Sequence, residues 1–311
     1  MVGYIAVIIA CVTWASGGLL VRFLSLQGFQ PMTISFLRVA VAWMFTTVFV
    51  LGSRRRRRRV RARDLPLLAL LGIIGPAGSQ PLFIATVTMT TMAVATILNY
   101  TSPIFVTILG RLFLGERITR AKLAALAVTI GGLVLVTGVY KVNPRVSPAA
   151  LAVGTASGLL YGLYTLLLRK TAGRFEDPIL IQWWSMMFGL PLAAVYSLRE
   201  AWPDPATLRP AAWAMALANG SGPGFLAFIL FTWGLGRVQA SRASIVATVE
   251  PVAAAVLGYA VFGEGMGALE LAGVCAVLAG ILIVTSGEGL GTCQRRFRLY
   301  SRRSSEGGTV R

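Results

Sequence analysis

The chain contains no histidine, only three cysteines, and 11 acidic residues against 29 lysines and arginines. Without histidine there is no Ser-His-Asp or Cys-His catalysis, no HExxH zinc site and no histidine proton relay. Cys11, Cys275 and Cys293 have no paired spacing, so they read as packing thiols and say nothing about redox compartment. No Walker A sequence and no metal-ligand spacing occur. The chain is therefore not itself an ATP-driven pump, and no cofactor or metal is expected. Charge of either sign is also scarce, at 13% of residues, about half of what a soluble domain carries.

Apolar residues fill the gap. They make up 56% of 311 residues, and the mean hydropathy is +0.74. Thirty-four glycines and 14 prolines accompany them, a combination that membrane helices tolerate better than soluble ones. The expected fold class is an all-α polytopic membrane protein. The net charge of +18 suggests nucleic acid at first sight, but the basic residues sit in short loops between apolar spans. That placement speaks for membrane orientation, with no nucleic-acid partner.

A duplicated stretch organises the chain. Pro103–Thr137 and Pro251–Thr285 align without a gap at an offset of 148. Pro103/Pro251, Leu109/Leu257, Gly110/Gly258, Gly115/Gly263, Glu116/Glu264 and Gly132/Gly280 coincide in order. Shared apolar composition does not produce such ordered punctuation, which indicates an internal duplication. Upstream the register continues at 147, pairing Trp14 with Tyr161, Arg22 with Arg169 and Pro31 with Pro178. The expected units are 1–141 and 142–288, followed by a basic, disordered cytoplasmic tail at 289–311.

Apolar runs long enough to cross about 30 Å of hydrocarbon number five per unit. In the first they are Tyr4–Val21, Met32–Leu51, Leu65–Val87, Met92–Leu114 and Arg120–Val139. In the second they are Leu151–Leu168, Pro178–Leu198, Ala211–Leu235, Ser241–Phe262 and Gly267–Ser286. The first run lacks a basic n-region and an Ala-x-Ala site, so it reads as a retained helix. The loops after spans two, four, six and eight, with the tail, hold 23 of the 29 basic residues. Arg22, Lys141, Arg145, Arg199 and Arg209 lie on the other side. Both termini are therefore expected in the cytoplasm. The run Arg54–Arg59 fits a topological anchor on the anionic inner leaflet. Five spans per unit make the second copy inverted relative to the first. That design is recurrent in secondary transporters.

The Trp14-Ala15-Ser16-Gly17 stretch, Leu37-Arg38, the Leu114–Glu116 LGE, the Val249–Pro251 VEP and the Phe262–Glu264 FGE together resemble the drug/metabolite transporter superfamily, EamA type with two EamA units. The likeness covers about residues 3–288. It implies a ten-helix permease of the bacterial cytoplasmic membrane, usually an exporter of amino acids or small metabolites. Drug or toxic-compound efflux, or uptake, is the alternative. The sequence lacks a Glu before Pro103, with Ser102 there instead, at a position where members of that family vary. A membrane enzyme would need a cluster of acids or nucleophiles at one bilayer face, and a sensor would add a soluble module; neither feature is present. Two repeats in one chain make dimerisation unnecessary, so a monomer or a homodimer fits, and a proton or another ion is compatible with coupling.

The candidate substrate-path residues are those that are polar or aromatic at depth. Glu250 lies well inside its span beside Pro251, and intramembrane acids face a cavity or a partner. It either lines the path and exchanges a proton, or belongs to a structural ion pair. Arg38 keeps its charge, so it anchors a substrate carboxylate or snorkels outward. Both break the repeat symmetry, and they are expected to face a shared cavity. Trp14 and Tyr161 occupy equivalent sites, fit for an aromatic lining, and Gln80, Asn99, Tyr100 and Gln182 complete the set. Pro103, Pro251, Glu116 and Glu264 are repeated and read as scaffold, each Glu serving the helix that follows it. The breakers in Gly72–Gly78 and Gly220–Gly224 fall at matching places, which points to a midplane site or to close packing.

Overall fold

The computed structural model describes residues 1–53, 60–141, 146–175, 177–204, 208–263 and 265–286. Arg54–Arg59, Arg145, Glu264 and the tail 289–311 lie outside them. Among the described residues there is no strand. The first repeat supplies α1 (Val2–Leu26), α2 (Pro31–Leu51), α3 (Ala62–Met89), α4 (Met92–Leu114) and α5 (Arg120–Val136). The second supplies α6 (Pro148–Arg174), α7 (Pro178–Ser197), α8 (Pro210–Leu235), α9 (Ala240–Phe262) and α10 (Ala268–Ser286).

Nine of these are long and apolar enough to cross a membrane; α5, at 17 residues, is not among the nine. The expected end of α5 at Val139 is corrected to Val136. Gly138 takes φ +63° there, and Val139–Lys141 continue as a 3₁₀ turn. A left-handed glycine ends a helix at little cost. Starts are set by side-chain caps and prolines. Ser147 accepts from the Ala150 N–H at 3.1 Å and Asp177 from the Ile179 N–H at 3.1 Å, with Pro148 and Pro178 in the first turn.

The repeats interlock rather than lying side by side. In the first repeat α1 packs on α8 and α9 of the second, while α6 packs on α3 and α4 of the first. Helices α2 and α7 pack on each other. The buried core follows these crossings, through Val7, Leu71, Tyr164, Phe231 and Val277. The outer faces are apolar and open: Phe113 is 72% exposed and Leu282 64%, as expected of surfaces that meet lipid.

Glycine permits a close crossing between α3 and α7. A Cβ on Gly72 would stand 2.1 Å from the Ser185 carbonyl oxygen and 2.9 Å from the Gly189 nitrogen. Those are backbone atoms and cannot swing aside. Gly72→Ala should lower stability by about 1–3 kcal/mol or more, read as a drop in melting temperature in detergent. Gly18→Ala, with nothing within 4 Å, should leave it unchanged.

Candidate functional site

Four of the membrane helices are interrupted, in two matched pairs. In α3 the residues Gly75–Ser79 form a π turn, and in α8 the residues Gly220–Leu226 do. These are the two sequence breakers, and such bulges are frequent at functional sites. In α4 the helix breaks at Tyr100–Thr101, just before Ser102-Pro103. In α9 it breaks at Ala247–Thr248, before Glu250-Pro251. Proline cannot donate to the carbonyl four residues earlier. The Ala247 carbonyl is nevertheless not left free, because the Glu250 N–H takes it at 3.0 Å in a tightened turn. Glu250 thus stands in the first turn of an inner helical segment, where the helix dipole favours a negative charge.

Glu250 is half-buried. Arg38 from α2, Tyr100 from the α4 break, Tyr161 from α6 and Cys11 from α1 all interact electrostatically with its carboxylate. The two symmetry-breaking charges therefore share one polar region, although they come from opposite ends of the sequence. Next to it, on the side of Arg38 and Tyr161, lies a small cleft of about 30 Å³, and Glu250 is not among its lining residues. Arg38, Ser79, Gln80, Tyr161, Tyr164 and Gly224 line it, with both π turns contributing. The packing around it leaves room for waters rather than for a whole solute.

The remaining candidates divide. Gln182 lines an adjoining part of the cavity with Tyr164 and Ser185. Its Nε2 donates to the Gly224 carbonyl at 2.8 Å, and its Oε1 has no hydrogen-bond partner among the described residues. Tyr161 is among the residues lining the cleft, whereas Trp14 is not. Its indole N–H donates to the Pro223 carbonyl at 3.0 Å, and its ring packs on Phe228 and Phe231. The π turn of α8 exposes those carbonyls, and Trp14 and Gln182 satisfy two of them. Asn99 braces α4 to α6, its Oδ1 3.0 Å from the Ser157 hydroxyl.

Glu116 is scaffold, but not for the helix that follows it. Its carboxylate accepts from the Ala240 N–H at 2.6 Å, the Ser241 N–H at 3.1 Å and the Ser241 hydroxyl. It therefore caps α9 of the other repeat, while Thr119 caps α5. Gly115, at φ +65°, turns the chain so that Glu116 points back. Lys122 lies 3.5 Å from Glu116 and donates to Ser241 Oγ at 2.6 Å. The other described acids have structural partners too. Glu200 caps α2 through the Met32 and Thr33 N–H groups, Asp64 pairs with Arg174, and Glu270 pairs with Lys141. That last contact raises the Lys141 ammonium above its ordinary value, chiefly through the hydrogen bond to Glu270. Among the described acids, Glu250 interacts with the cleft-lining Arg38 and Tyr161.

Comparison with known proteins matches residues 1–138 and 149–286 to the EamA-like transporter family, one copy on each repeat. The chain belongs to the EamA-like transporter family. It is 28% identical over 281 residues to an uncharacterized transporter of Archaeoglobus fulgidus, covering 90% of this chain and 95% of that protein. It is also 28% identical over 284 residues to a probable terminal-alkyne amino-acid exporter of Streptantibioticus cattleyicolor, covering 90% and 92%. A solved crystal structure superposes with a TM-score of 0.77 at 17% identity, covering 91% of this chain and 98% of its own. At that identity the likeness concerns the fold alone. This EamA chain is thus a multi-pass membrane transporter and not an enzyme.

Sequence reasoning missed Tyr164, Ser79 and Lys122. Tyr164 was readable, since it stands one helical turn after Tyr161 and shares its face. Lys122 falls at the start of the span Arg120–Val139, where a basic residue reads as part of the flanking loop; it is 2% exposed inside the first turn of α5.

Proposed function

We propose that this EamA transporter is a secondary exporter of small organic solutes bearing a carboxylate, amino acids or related metabolites, across the bacterial cytoplasmic membrane. Arg38 anchors the carboxylate in the cleft between the π turns. Glu250 takes the opposing charge, either a substrate ammonium or a coupling proton, a role that falls to a carboxylate in a chain without histidine. The observation that carries this reading is the interaction of Glu250 with Arg38, which lines a cleft built on the interrupted segments of α3 and α8. An exporter of an amino acid among the relatives supports it. Helix α5 is the tenth crossing: 17 residues extend about 26 Å, within the reach of a short span. Ten crossings make the repeats inverted and put both termini on the side with the basic loops, the cytoplasm.

Flux through proteoliposomes tests the anchor. Wild type should release a loaded amino acid, and Arg38→Gln should slow carboxylated solutes by about tenfold or more, the scale of one charge-assisted contact. A decarboxylated analogue should lose nothing further in the variant. Equal slowing of both solutes would place Arg38 in the scaffold.

A further inference from the structure

Contacts that the duplication should produce twice are made at one face only. At the face of the α4–α5 and α8–α9 loops, the first segment of α9 packs on the second segment of α4. The counterpart pair, the first segment of α4 and the second of α9, makes no comparable contact among the described residues. Ala240 is accordingly fully buried, while its counterpart Met92 is 60% exposed. Arg169 Nη1 donates to the Gly236 carbonyl at 3.0 Å at the closed face. Its counterpart Arg22 instead lies over the Phe262 ring, 3.9 Å from the centroid.

The closed face is fastened by charge. Glu116, at 8% exposure, and Lys122, at 2%, are buried together with Ser241, at 0%. The three bridge the α4–α5 junction of the first repeat to the start of α9 in the second. Opening that face separates these groups and requires water to replace their mutual contacts. At an offset of 148 the counterparts of Lys122 and Ser241 are Glu270 and Ala93. Neither can supply the ammonium or the hydroxyl, and Glu270 is paired with Lys141.

We infer that Glu116, Lys122 and Ser241 form a one-sided latch that holds the face with the basic loops shut and biases the resting transporter toward opening at the other face. The inference rests on the inverted-repeat reading above, because only inversion puts the counterpart positions on the opposite face. In an exporter the latch must break before solute loads, so it sets the population competent to receive solute.

Amide hydrogen exchange of the full-length protein in nanodiscs tests this without any substrate. Peptides spanning 238–246 and 90–98 report the two faces. In wild type the first should be protected and the second should exchange quickly. Lys122→Met should speed exchange at 238–246 and slow it at 90–98, each by about five- to tenfold, the usual size of a coupling between states. Ser241→Ala, which keeps both backbone donors, should move both peptides the same way by less, and it serves if the lysine variant fails to fold. Faster exchange at 238–246 with 90–98 unchanged would reduce the trio to a local cap and overturn the latch. No change at either peptide would overturn it as well. A reciprocal shift in a protein that moves no solute would sink the export reading and leave the latch standing.

Discussion

Replacing Glu250 by glutamine should cut solute efflux at least tenfold while leaving the melting temperature of the purified protein nearly unchanged. The side chains are nearly the same shape, so the local packing is preserved. A carboxylate inside a membrane carries a desolvation cost of about 3 kcal/mol, which the amide does not. The loss of attraction to Arg38 offsets that gain, and the net change should stay within about 1 kcal/mol. A structural ion pair behaves otherwise. Breaking one by removing a single partner costs about 3–5 kcal/mol, so a sharp fall in stability with normal efflux would assign Glu250 to the scaffold. Efflux and thermal melting measured on one preparation separate the two roles.

Glu116→Ala should be the most destabilising single change among the acids, by about 3–5 kcal/mol. It uncaps the N-terminus of α9 at Ala240 and Ser241 and leaves Lys122, 2% exposed, without its carboxylate. The second change Lys122→Met should recover a large part of that loss, because the buried ammonium that has lost the Glu116 carboxylate is then removed. Thermal unfolding of the two single variants and the double variant gives the coupling directly. Additive losses would show that the cap matters and the ion pair does not.

These two residues show where the sequence was readable. The duplication, the helix order, the paired breakers and the depth of Glu250 all follow from local pattern: an offset of 148, prolines, glycines and long apolar runs. Arg38 and Glu250 were expected to face a shared cavity because both break the repeat symmetry. That argument uses sequence differences and needs no coordinates. Arg38 lines the cleft, and Glu250 interacts with Arg38 without lining it. The partner of Glu116 was not readable. The acid precedes α5, and local rules assign it there, but Gly115 reverses the chain and delivers it to a helix 124 residues away. The partner of Trp14 was not readable either. Its symmetry with Tyr161 was real, yet the indole N–H is taken by the carbonyl of Pro223, which only the π turn of α8 exposes. Interactions between repeats depend on how the helices cross, and a periodic apolar pattern does not encode that. The length of α5 was overestimated because Val139 continues the apolar run past Gly138, whose left-handed backbone ends the helix.

The central claim, export of a small organic solute along a path that needs Glu250, is tested most directly by comparing extracellular metabolites. The cells would overproduce wild type, Glu250→Gln or an empty vector, with membrane levels of the protein matched. The account predicts that one class of carboxylated solute accumulates outside only with wild type. No difference in any solute between wild type and the empty vector would contradict it.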